Sequence, residues 1–110
     1  PGTMAYVFDL PCGLRAAMHG GTGLNTLTSA YSRAHQLGAA WREDYSRTLE
    51  NLKTLQVDVV LGNHPNQTHT FEKAASKTDA QNPFVDGTEW MRFLAGCRER
   101  FDKLIEDDPL

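Results

Sequence analysis

The stretch Val57-Asp58-Val59-Val60-Leu61-Gly62-Asn63-His64-Pro65 constrains the fold more than any other part of the chain. It is a short, nearly unbroken apolar run that stops on a polar Asn-His-Pro. Apolar, β-branched residues bounded by turn formers read as a strand buried on both faces. Such a strand needs cover on both faces, as in α/β folds. A histidine at the end of a buried strand stands where a rigid sheet meets a loop, a common place for chemistry. Most single histidines before a turn are nonetheless only hydrogen-bonded surface or core residues. The flanking segments decide between the two.

Those segments fall into a simple order. Met4 to Leu10 reads as a strand, Leu10-Pro11-Cys12-Gly13 as a turn, and Leu14 to Met18 as a returning strand, which makes a hairpin. Gly20-Gly21-Thr22-Gly23 is a loop. Tyr31, Ala34, Leu37, Trp41, Tyr45, Leu49, Leu52 and Leu55 then recur every three or four residues, the stripe of an amphipathic helix with charged residues opposite. Thr28 or Ser29 is expected to cap it, and Gly38 to divide it in two. After the Val57 strand, Thr70 to Lys77 suits a short helix. Thr88 to Glu106 suits a last amphipathic helix through Trp90, Phe93, Leu94, Cys97, Phe101, Leu104 and Ile105.

Composition narrows the function. A 110-residue chain with 40% hydrophobic and 23% charged residues has the make-up of one globular domain. Eleven basic against fourteen acidic residues leave a net charge of −3. Arg42, Arg47 and Lys53 are interspersed with acids, as on a solvated helix face, so no basic surface for nucleic acid is expected. No apolar run approaches membrane-spanning length, and no membrane partner is expected. Cys12 and Cys97 lack metal or redox spacing. A disulfide between them would need the fold to bring them together, and two free thiols are the favoured reading.

Three segments taken together resemble one family. Pro1-Gly2-Thr3-Met4-Ala5-Tyr6 runs into a strand, and a second strand ends in the glycine-rich loop. A helix with Glu43-Asp44-Tyr45 then leads to Asp58-Val59-Val60-Leu61 and His64-Pro65. In this order they are similar to the C-terminal half of a metallo-β-lactamase-fold hydrolase. Within that superfamily the chain is most similar to the β-lactamase subclass that binds both zinc ions without a cysteine, and to uncharacterised hydrolases around it. Asn82-Pro83-Phe84-Val85 and the final helix resemble the tail of those relatives. The likeness covers nearly the whole chain.

The resemblance implies half of an αββα sandwich over residues 1–110: hairpin, long helical segment, buried strand and C-terminal helices, with the N-terminal half absent. It implies zinc, two ions in the complete enzyme, and metal-hydroxide attack on an amide, ester, thioester or related bond of a small-molecule substrate. In the family a zinc-binding histidine precedes the Pro-Gly that stands at Pro1-Gly2, and other ligands come from an upstream His-x-His-x-Asp-His motif. His19, His35, His64 and His69 show none of that spacing. Only the last family ligand is matched, by His64. It would complete the second zinc site beside an upstream Asp and His. One histidine does not make a catalytic zinc site, which commonly has three protein ligands and an open position, so the isolated chain is expected to hold no zinc and to be inactive.

Other residues are weaker candidates. Gly20-Gly21-Thr22-Gly23 lacks the spacing and the lysine of a phosphate-binding loop. Gly21 stands where many superfamily members place a bridging Asp or Cys, in keeping with the cysteine-free subclass. His19, Gly21, Asn66 and His69 are read as possible rim groups, with Gln67 and Thr68 no better supported. For His19 a satisfied surface histidine is the simpler reading, for His69 an exposed loop residue, and for His35 a helix flank. Trp41, Tyr45 and Trp90 at helical spacing read as core.

Tyr6-Val7-Phe8 and Val59-Val60-Leu61 need burial on both faces, and the sheet that normally faces them would lie in the other half. Leaving that face wet would cost several kcal/mol at roughly 25 cal/mol per Å². The chain is therefore expected to pair with its own N-terminal half or to form a homo-oligomer that buries Tyr6, Phe8, Val59 and Leu61. The competing reading is an inactive truncated or cleaved fragment serving only assembly. The lactamase likeness leans towards secretion or the periplasm, and the sequence itself carries no address.

Overall fold

A computed structural model describes residues 4–20 and 23–110. The expectations placed on Pro1, Gly2, Thr3, Gly21 and Thr22 lie outside these residues. Strand β1 is Ala5–Asp9 and β2 is Arg15–His19; a 3-10 turn at Asn25–Leu27 precedes helices α1, Ser29–Ala34, and α2, Ala40–Leu52. Strand β3, Val59–Leu61, is followed by α3, Thr70–Ser76, and α4, Glu89–Asp107. The chain forms two compact units. One comprises the described residues of 1–21 with Gln56–Phe93, the other those of 22–55 with Leu94–Leu110. No helix among the described residues is long and apolar enough to cross a membrane.

The first unit holds the sheet, ordered β1-β2-β3. The expected hairpin forms: Leu10 N donates to Leu14 O at 2.7 Å, and Gly13 N to Leu10 O at 3.0 Å. Gly13 has φ +85°, which favours glycine over any residue with a Cβ. β1 pairs antiparallel with β2, Tyr6 opposite Met18 and Phe8 opposite Ala16. β2 pairs parallel with β3, Ala16 beside Val59 and Met18 beside Leu61. Asp58 fixes this register, because its Oδ2 accepts from Arg15 N at 2.9 Å and its own amide donates to Arg15 O at 2.8 Å.

Burial falls off across the sheet. Val59 and Val60 of β3 and Ala16 and Ala17 of β2 are buried, so the reading of β3 as doubly buried holds. The same expectation for β1 needs correction, since Ala5–Asp9 is exposed along its whole length. Both outer strands have β2 as their partner strand, but β3 is also bridged at Val59 to Val85, while among the described residues nothing covers the faces of β1. β3 is also shorter than the apolar run, because Asp58 turns its carboxylate to Arg15 instead of extending the ladder.

Past the sheet, Lys73 Nζ of α3 sits 2.6 Å from both carboxylate oxygens of Glu89 at the start of α4, with both side chains largely buried. Asp86 prepares that helix: its Oδ1 accepts from the amide and hydroxyl of Thr88 at 2.9 and 2.7 Å. Trp90 is fully buried.

In the second unit Thr28 caps α1, its hydroxyl accepting from Tyr31 N at 3.2 Å. The expected break near Gly38 occurs, and Gln36 takes φ 56° within it. Leu49, Leu52, Leu94, Cys97 and Phe101 are buried, and the Tyr45 and Phe101 rings lie 4.9 Å apart. Three residues depart from their expected faces. Ala34 is exposed, Ile105 is 41% exposed, and Arg42 is only 6% exposed instead of solvated. Arg42 is buried because backbone carbonyls receive its guanidinium: Nε donates to Leu27 O at 2.8 Å and Nη2 to Asp108 O at 2.7 Å. Trp41 and Tyr45 are half-buried, the Trp41 indole donating to Thr26 O. Cys12 is an exposed free thiol and Cys97 a buried one.

Candidate functional site

Because β2 and β3 run parallel, their C-terminal ends leave the sheet on the same side. Ligand sites of open α/β sheets favour this edge. β2 ends on His19 and runs into Gly20, and the segment after β3 begins with Gly62-Asn63-His64. They approach closely: a Cβ built on Gly20 would stand 3.0 Å from Asn63 Nδ2. Gly20 N also donates to Met4 O at 3.2 Å, which holds the end of β2 against the start of the hairpin. A side chain at Gly20 would require the Asn63 amide to shift by a few tenths of an ångström.

His64 is exposed. Its loop is ordered by its own backbone, with Gln67 N donating to His64 O and Thr70 N to Pro65 O, both at 3.0 Å. Asn66 is exposed on the same loop. His69, also exposed, takes φ 54° and ψ 43° at the N-cap of α3, where the chain turns into the helix.

Two expectations are corrected. His19 is 5% exposed, not a surface histidine, because it ends the central strand of the sheet. Among the described residues neither of its ring nitrogens finds a hydrogen-bond partner. Burial lowers its pKa, and the Gly20 backbone offsets part of the shift. Thr68 is 2% exposed and is no rim group; it packs against Gly62. Sequence reasoning missed this pairing. The one available signal was a glycine exactly where the apolar run ends.

The donor set decides what metal chemistry the chain can support alone. Among the described residues no three His, Cys, Asp or Glu side chains gather to hold a metal ion. The exposed His64 imidazole is by its chemistry able to fill one ligand position.

No family model matches the chain, and neither does any curated protein. Solved structures do. The chain is similar to BJP-1, a subclass B3 metallo-β-lactamase of Bradyrhizobium japonicum, at 22% identity and TM-score 0.76 over 94% of this chain and 39% of that one. It is also similar to a metallo-β-lactamase of Cronobacter sakazakii with a HARLDQ motif, at 22% identity and TM-score 0.78 over 94% and 40% of the two chains. The chain therefore has a partial metallo-β-lactamase fold, and it spans about two fifths of the length of these structures.

Proposed function

We propose that the chain is the C-terminal portion of a zinc-dependent hydrolase and that it supplies His64 as one zinc ligand. The observation that carries this reading is the placement of His64: an exposed imidazole on a backbone-ordered loop, at the strand ends of a partial metallo-β-lactamase fold. When bound, zinc lowers the pKa of a water to about 7 and so supplies a nucleophile at neutral pH. The chain's own residues bind and orient. His64 donates a ring nitrogen in its neutral form. Gly20 lies close to Asn63 beside His64, and Asn66 and His69 are exposed on the same segment. The substrate class is a small molecule with an amide, ester or related bond. The remaining ligands come from the N-terminal half of the same domain, whether on one polypeptide or a second.

Reconstitution tests this reading. The chain combined with a complementary N-terminal portion that carries the other ligands should hydrolyse such bonds, and His64→Ala should cut turnover by at least about tenfold. Full turnover in the His64→Ala complex would remove His64 from the ligand set. A folded, zinc-loaded complex without hydrolysis of any such bond would favour the assembly-only reading.

A further inference from the structure

The geometry points to Gly62 and Thr68 as the pair that positions the His64 imidazole, an inference that rests on His64 being the ligand proposed above. An exposed ring is not fixed by packing of its own. Its direction is inherited from the backbone beneath it, and that backbone is pinned at defined points.

Gln67 N and Thr70 N close the loop onto His64 O and Pro65 O. Thr68 supplies the side-chain anchor, because it is the loop residue that is almost fully buried. It occupies the space that a side chain at Gly62 would need. A Cβ on Gly62 would stand 2.8 Å from Thr68 Oγ1, 3.0 Å from Thr68 Cγ2 and 3.2 Å from His64 O. The first of these is closer than carbon and oxygen tolerate, so one of the two residues would have to shift. Gly62 is therefore required for space, not for a left-handed φ. The Thr68 hydroxyl is also 3.2 Å from Thr70 Oγ1, which ties the loop to the first turn of α3. A side chain at Gly62 would press on Thr68 and on the His64 carbonyl at once, so the space at Gly62 bears on both the anchor and the residue carrying the ligand. Metal ligands need placement within about 0.5 Å, and loss of the groups that orient them typically costs about 10–100-fold in affinity.

Two readouts test the pair. Zinc affinity is measured by chelator competition in the reconstituted complex, and the His64 ring resonances by NMR in the chain itself. Gly62→Ala and Thr68→Ala should each weaken zinc by about tenfold or more. Both should shift the His64 ring signals, while Thr68→Ser, which keeps the hydroxyl, restores most of the affinity and the native signals. If Gly62→Ala does not fold, the comparison of Thr68→Ala with Thr68→Ser decides. Should His64→Ala lose zinc while Gly62→Ala and Thr68→Ala keep native affinity and native His64 signals, the positioning role is overturned and the ligand reading stands. Should His64→Ala leave zinc unchanged, the ligand reading falls and this inference falls with it.

Discussion

Tyr6 and Leu61 lie on one face of the sheet, joined through Met18, which stands opposite Tyr6 in the antiparallel ladder and beside Leu61 in the parallel one. Phe8, Ala16 and Val59 continue the same face one pair along. Exposure declines across it, from 57% at Tyr6 and 44% at Phe8 to 9% at Val59. The face is thus apolar throughout and wettest at β1, whose outer edge has no partner strand among the described residues.

An apolar face beside an unpaired edge promotes association. The chain alone should associate at micromolar concentration, and Phe8→Asp should shift it towards monomer. Sedimentation showing a stable monomer for the unmodified chain would contradict this.

Arg42 should be the most stability-sensitive charged residue of the second unit. Arg42→Ala leaves the Leu27 and Asp108 carbonyls without their guanidinium donors and should cost roughly 2–4 kcal/mol. Arg42→Lys should recover only part, because one ammonium does not reproduce the two-pronged fork. Chemical denaturation reads both, and an unchanged midpoint for Arg42→Ala would refute the assignment.

Glu89→Gln should destabilise by about 2–4 kcal/mol, because it leaves the Lys73 ammonium largely buried without its counter-ion. Replacing both residues by apolar ones of similar size should recover most of that loss. A double-mutant cycle showing no coupling would reduce the pair to a surface-like contact.

Stability should fall with acid in two steps. His19 has a folded pKa below its ordinary 6.5, so the unfolded chain takes up the proton first. Its contribution is complete above that value and declines as the pH drops towards the folded pKa. Asp108 acts lower: the Ser29 hydroxyl, then the Ser29 amide, hold its carboxyl below the ordinary 3.8, so its share is lost only on stronger acidification. His19→Leu should abolish the first step and leave the second. Loss of stability between about pH 7 and pH 5 that persists in that variant would exclude His19 as its source.

What the sequence made legible were features with a period or an abrupt end. The alternation of turn formers placed the hairpin, the three-to-four spacing placed α2 and α4, and the apolar run halting at Asn63 placed β3 and His64 together. Contacts set by distant neighbours were not legible. Tyr6 and Val60 look alike as strand residues and both stand on outer strands, yet one is exposed and the other buried, because what covers a strand's faces is set by distant segments and not by its own residues. Arg42 read as solvated because no local pattern reveals carbonyls brought to it from Leu27 and Asp108. Thr68 read as rim because its burial depends on a missing side chain at Gly62.

Zinc content tests the central claim most directly. Elemental analysis should find no stoichiometric zinc in the isolated chain, zinc in the complex with the complementary N-terminal portion, and a reduced content when that complex carries His64→Ala. Tightly bound zinc in the isolated chain, or an undiminished content in the His64→Ala complex, would contradict it.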